Sequence, residues 1–259
     1  MTPAATIPSA PAPPRRWPRL LAVTFLCVSL AGCVACRVFH SGPYRVPETL
    51  PATKLLDIHV HTAGIGAGDS GCFISKQMES SWKLGIYLKS FGTTREELQQ
   101  KGDAHVVQLI SRQLSESRYV GQAILLAMDG VVDASGELDK SRTEIYVPNE
   151  FIAKETAKTT NLLFGASINP LRHDALARLD WAATNGARLI KWIPSVMQFD
   201  PADERLTPFY RRMVELKLPL LTHAGQERSF TSAKDELCDP QRLHLPLKLC
   251  VTVIVAHIA

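Results

Sequence analysis

The stretch Leu55-Leu56-Asp57-Ile58-His59-Val60-His61 is a short apolar, partly β-branched run that closes on two histidines one residue apart. It reads as a strand buried on both faces, the kind that fills parallel sheets. Similar runs recur at 120–128, 162–168, 187–193, 219–223 and 251–257. Stretches of helical period lie between them at 103–117, 149–159, 172–184, 203–217 and 239–249. Asn149 after Pro148, Asp174 and Asp203 stand where helices start. Strand alternating with helix means an α/β fold with right-handed crossovers. Residues 62–102 interrupt the rhythm with a long Gly- and Ser-rich segment that turns partly helical. Such a segment is expected over the carboxyl ends of the strands.

Upstream of residue 54 the character differs. Residues 1–19 hold six of the 17 prolines and end in Arg15-Arg16-Trp17-Pro18-Arg19, followed by the apolar run 20–30 and Ala31-Gly32-Cys33. A basic region, a short apolar core and small residues describe a secretory signal. Leu30-Ala31-Gly32-Cys33 resembles a bacterial lipobox, which implies lipidation of Cys33. The expected organisation is a signal peptide over 1–32, an extended tether over 33–53 and one catalytic-type domain over 54–259. The protein would then be lipid-anchored in the cell envelope, facing the periplasm or exterior, with an uncleaved membrane anchor as the alternative. In that compartment disulfides are permitted, and Cys36, Cys72, Cys238 and Cys250 show no CxxC zinc pattern.

The 259 residues are 46% hydrophobic and 21% charged, which excludes a disordered or collagenous chain. The net charge of +4 shrinks to +1 once Arg15, Arg16 and Arg19 are set aside, leaving 26 basic against 25 acidic residues. Nucleic-acid binding is not expected of so balanced a body. Oligomeric state is left open.

Four of the eight histidines stand at strand ends: His59 and His61 on the first strand, His223 in Leu221-Thr222-His223 and His257 in Val255-Ala256-His257. The period of two puts His59 and His61 on one face, about 6.6 Å apart along the strand, so that two imidazoles can converge on one cation. His40, His105, His173 and His244 show no such placement. Gly66-Ala67-Gly68-Asp69-Ser70-Gly71 fits a dinucleotide fingerprint but starts too far past its strand, and it is expected to form a flexible lid.

Asp57-Ile58-His59-Val60-His61, Gly186-Ala187-Arg188-Leu189-Ile190-Lys191-Trp192-Ile193-Pro194, Leu220-Leu221-Thr222-His223-Ala224-Gly225 and Ile254-Val255-Ala256-His257 together resemble the amidohydrolase superfamily. The resemblance spans about Leu55 to Ala259. It implies a (β/α)8 TIM-barrel type fold, of which about six βα units are present, and a site at the carboxyl ends of the strands. His59, His61, His223 and His257 would be metal ligands, His257 alternatively positioning water or substrate. Lys191 would be a carboxylated bridging ligand or an unmodified contact for a substrate carboxylate. Asp57 is expected behind the ligands. Asp129, Asn169 and Glu227 are candidates for substrate contact. The cofactor would be one or two divalent ions, zinc in the first place, with manganese or iron as alternatives.

The implied reaction is hydrolysis of an amide, lactone or ester-like bond in a small molecule by water that the cation activates. Nonoxidative decarboxylation or hydration on the same fold is the alternative. The family's general-base aspartate, at the end of an eighth strand, has no counterpart before Ala259, so an inactive truncated lipoprotein is a third reading.

Overall fold

The computed structural model describes residues 54–257. The expectations for the signal peptide, the Cys33 lipidation and the tether lie outside the described residues. Eight strands are described: β1 (Leu55–His61), β2 (Phe73–Ile74), β3 (Val120–Leu126), β4 (Ile145–Tyr146), β5 (Leu162–Gly165), β6 (Ile190–Trp192), β7 (Leu220–His223) and β8 (Val253–Ala256). The α-helices are α1 (Lys76–Glu79), α2 (Trp82–Ser90), α3 (Arg95–Lys101), α4 (Ala104–Glu116), α5 (Asn149–Thr156), α6 (Ala175–Thr184), α7 (Pro194–Met197), α8 (Thr207–Glu215) and α9 (His244–Lys248). Each expected strand and helix is present, trimmed at its ends. The 203–217 stretch is split into a 3-10 turn and α8, and 239–249 into a 3-10 turn and α9.

Strands β1, β3 and β5 form one parallel sheet and β6, β7 and β8 another. A parallel bridge from Ala166 to Ile190 joins them. The result is an α/β fold whose six parallel strands follow one another in chain order. Among the described residues no ladder joins β1 to β8, so the arc is not a closed barrel.

Alternation sorts the side chains to two faces. One face packs on the helices: Ile190, Trp192 and Leu220 join Leu179, Phe209 and Met213 in the large core. Trp192 is fully buried, donates its indole N–H to the Ile168 carbonyl at 2.7 Å and packs edge-on against Phe199. The other face looks into the arc, where Ile124, Leu126, Leu189 and Leu221 meet Ile58, Leu163, Ile254 and Ala256. The expectation of strands buried on both faces holds for β5, β6 and β7 but fails at the ends of the arc. Leu55 is 45% exposed and β8 is half-buried throughout, because each end strand has a neighbour on one side only.

Two irregularities aim side chains at the carboxyl end of the arc. Between Asp57 and Val60, β1 carries one residue more than β3, a bulge that lets Ile58 and His59 both turn inward while Val60 packs outward. At the other end, regular alternation would send His257 outward after Ala256. Its φ of +59° breaks the pattern.

The segment after β1 covers this end, as expected of it. Its glycine turn, however, is pinned down and is no loose lid. The fully buried Asp103 carboxylate accepts from the Ile65 and Gly66 amides, both at 2.9 Å, and from the Ser70 hydroxyl. A side chain at Gly64 would stand 2.7 Å from that carboxylate, and Gly66 has φ +89°. Beyond the turn, β2 pairs antiparallel with β4 in a short ribbon.

Candidate metal centre

A cavity of about 270 Å³ opens at the carboxyl ends of the strands. His59, His61, Lys191, His223, Glu227 and His257 stand at its base. Its walls are Ile65, Ile74, Met78, Leu84, Tyr87, Phe91, Met128, Ile145, Ile193 and Phe230. His59, His61, Lys191 and His223 are placed by their strands, His257 directly follows β8, and Glu227 stands on the loop after β7. Lys191 lies two residues past Leu189 and His223 two past Leu221, so both continue the inward face.

The His59 and His61 Nε2 atoms are 3.1 Å apart, with ring centroids at 5.0 Å. The His257 ring lies 4.9 Å from that of His59 and 5.2 Å from that of His223. Burial, reinforced by the nearby Lys191 charge, pushes His59 down to about 4 and His61 down to about 3, so both are neutral at pH 7. Burial also lowers His223, against the opposing pull of Glu227. Lys191 is 2% exposed and its Nζ has no hydrogen-bond partner; burial pushes it down from 10.5 to about 8. His61 Nδ1 is likewise buried without a partner.

No family model matches the chain, and no curated protein matches it. Among solved structures it is similar to the apo form of IDCase from Metarhizium anisopliae, with 12% identity over 80% of this chain and 65% of that one, at a TM-score of 0.45. It is also similar to 5-carboxyvanillate decarboxylase LigW from Sphingomonas paucimobilis, with 11% identity over 78% of this chain and 67% of that one, at 0.44. A third likeness is to 2,6-dihydroxybenzoate decarboxylase complexed with 2,6-dihydroxybenzoate, with 16% identity over 68% of this chain and 52% of that one, at 0.40. The chain thus spans less than two thirds of the length of the first and third. These are faint likenesses, and the reading of the site rests on its own side chains.

Those side chains suit a divalent cation in part. Two nitrogens bound to one cation at about 2.1 Å must lie about 3.0–3.4 Å apart in octahedral or tetrahedral geometry, and the His59–His61 pair does so. Both rings are neutral, so their lone pairs are free to coordinate. The four-histidine cluster expected from sequence is less complete. Among the described residues no three His, Cys, Asp or Glu side chains stand in position to hold one ion together. The reason is local: His223 Nε2–H donates to the Gln226 carbonyl at 3.3 Å, and its Nδ1 faces Glu227 at 3.7 Å. The structure therefore presents a preformed two-nitrogen seat with two further imidazoles beside it.

The polar residues after β3 and β5 do not play the expected part. Asp129 is buried away from the cavity. It takes a two-pronged ion pair from Arg172, at 2.7 and 2.6 Å, and the backbone N–H groups of Gly130 and Asn169, both at 2.8 Å. Asn169 donates to the Gly130 and Met197 carbonyls, both at 2.9 Å. Both side chains are spent on bracing loops, and neither lines the cavity. Asp57 is exposed and accepts from the His59 backbone amide at 2.9 Å, so it holds the bulge, and its charge opposes the lowering of His59 by burial. Glu227 does line the cavity, as the one carboxylate among the described residues that does so.

Sequence reading missed Arg172, whose partner lies 43 positions away, and the walls Tyr87, Phe91 and Phe230. The helical period within 76–91 was the available signal for the first two walls. Among the described residues Cys72, Cys238 and Cys250 form no disulfide with one another, and the first two are buried.

Proposed function

We propose that this cavity is the active site of a divalent-metal-dependent enzyme of the amidohydrolase type acting on a small carboxylate-bearing molecule. The observation that carries the reading is the pair of neutral imidazoles, His59 and His61, facing each other at 3.1 Å beside the unpaired, buried Lys191. His59 and His61 would hold the ion, zinc or manganese, with His223 and His257 completing the set after a ring rotation. Such an ion would supply Lewis acidity there.

The chain's own groups suggest how substrate would sit. Lys191 offers a positive charge at the base of an otherwise apolar cavity, a place for a carboxylate. The apolar walls suit a planar ring and exclude water. Both features favour nonoxidative decarboxylation. The bond from carbon to carboxylate breaks, its electron pair passes into the substrate's own π system, and a proton from a cavity group replaces the lost carbon dioxide. Glu227, the carboxyl group that lines the cavity, would deliver that proton. Hydrolysis is the second reading, supported by the same Glu227, which would instead take a proton from attacking water. Residues 1–33 we read as an export signal and lipid anchor, on the sequence pattern alone.

The full chain, reconstituted with zinc or manganese, should release carbon dioxide from one member of a panel of hydroxylated aromatic acids and lose that release in His59→Ala. Proton release from lactones, amides or esters without carbon dioxide would select hydrolysis. Neither activity on any substrate with the ion bound, or activity unchanged in His59→Ala, overturns the proposal.

A further inference from the structure

The helix that walls the cavity has a second face with no partner among the described residues. On α2, Leu84 and Leu88 are buried, and Tyr87, Ser90 and Phe91 face the cavity. Positions 82, 85, 86 and 89 form the opposite stripe, at i, i+3, i+4 and i+7. They are Trp82, 73% exposed; Gly85, with open space where a side chain would be; Ile86, 54% exposed; and the exposed Lys89. Trp82 is the most exposed large hydrophobic residue in the described structure. Residues 75–92 carry Lys76, Lys83 and Lys89 against Glu79 alone, and that glutamate is paired with Arg95. Lys83, beside the stripe, is half-buried and its Nζ donates to the Arg228 carbonyl at 2.9 Å, so the stripe's own cation is Lys89. An indole, an aliphatic side chain and a lysine on one exposed stripe match the boundary of an anionic bilayer, where tryptophan lodges at headgroup level and lysine meets lipid phosphates.

A second, independent observation lies in the chain outside the described residues. The 21 residues from Cys33 to Thr53 can reach at most about 70 Å when fully extended. A lipid on Cys33 would therefore hold the domain within reach of the membrane at all times. Neither a second copy nor a protein partner has comparable support, since the tether read from Cys33 to Thr53 would keep a membrane within reach of the stripe and nothing of the kind holds another chain there.

We propose that the outer stripe of α2 docks on the anionic membrane surface, with Trp82 and Ile86 in the headgroup layer and Lys89 against lipid phosphates. The cavity would then lie one helix diameter, about 10 Å, from the bilayer, and substrate partitioned into the membrane could approach it along α2. The inference rests on the reading of residues 1–33 as an anchor and does not use the metal site.

The test is quenching of Trp82 by brominated lipid, in the full chain reconstituted into vesicles of phosphatidylethanolamine and phosphatidylglycerol. The contribution of Trp82 is the difference between wild type and Trp82→Phe. Flotation of the same samples reports the anchor separately. The expected result is flotation of both chains and a Trp82 signal reduced by about half or more. In Lys89→Glu, or in neutral phosphatidylcholine, the quenching should need about tenfold more lipid. A chain that floats while Trp82 stays unquenched, and open to aqueous acrylamide, overturns the docking and leaves the anchor standing. A chain that does not float overturns both. Protection of Trp82 from acrylamide without lipid, lost on dilution, assigns the stripe to self-association and overturns the proposal as well. Metal content measured on the same samples is expected to be the same in every variant.

Discussion

Replacing Lys191 by methionine should make the metal-free protein more stable, although the lysine is among the most buried residues of the fold. The side chain is 2% exposed and its Nζ has no hydrogen-bond partner, so the substitution removes a charge and no bond. Its fall from 10.5 to about 8 means that the folded state disfavours the ammonium. At about 1.4 kcal/mol per tenfold, this costs about 3 kcal/mol at pH 7, where the group is charged in both states. Between pH 8 and 10.5 the unfolded chain holds more protons than the folded one, so wild-type stability climbs with pH across that window. Lys191→Met has no such climb. Urea unfolding with chelator present should show the variant ahead by about 3 kcal/mol at pH 7 and by only about 1 kcal/mol at pH 10. Methionine fills nearly the same volume, so packing takes back little of the gain. A variant that is less stable than wild type, by an amount independent of pH, would show that Lys191 is paired in solution and would refute the reasoning.

Four further outcomes are expected. His59→Ala and His61→Ala should each weaken zinc or manganese binding by about a hundredfold or more, since each removes half of the preformed seat; calorimetric titration checks this. Because burial holds these two rings near 4 and 3, protons compete poorly for them, and bound metal measured after dialysis should persist at pH 5 and be lost as pH falls toward 4. Asp129→Asn should cost about 3–5 kcal/mol by stranding the Arg172 guanidinium, seen as a lower urea midpoint, while metal affinity stays within about twofold. Asp103→Ala should free three donors of the 65–70 turn and cost about 2–3 kcal/mol, with faster amide exchange confined to that turn and α4.

The alternation of apolar runs with helical stretches was enough to place every parallel strand and its neighbours, because burial on both faces demands continuous hydrophobicity that few other arrangements need. The same runs located His59, His61, Lys191 and His223 at one end of the sheet, since alternation alone carries Lys191 and His223 inward from Leu189 and Leu221. Local pattern misled where partners come from afar. Asp129 and Asn169 look like site residues after their strands, yet Asp129 faces Arg172 from a later loop. The glycine turn looks loose, yet Asp103 ties it down from 33 to 38 positions away.

By itself the sequence determined the α/β rhythm, the parallel order and the set of histidines at the strand ends. Only the tertiary structure decided which of them meet. Alternation puts His59 and His61 on one face, but a bulge turns that face into the arc; His257 turns out of strict alternation because its backbone is left-handed, and His223 is held aside by Gln226 and Glu227. Each of these rests on a contact or a backbone torsion that hydrophobic periodicity does not encode.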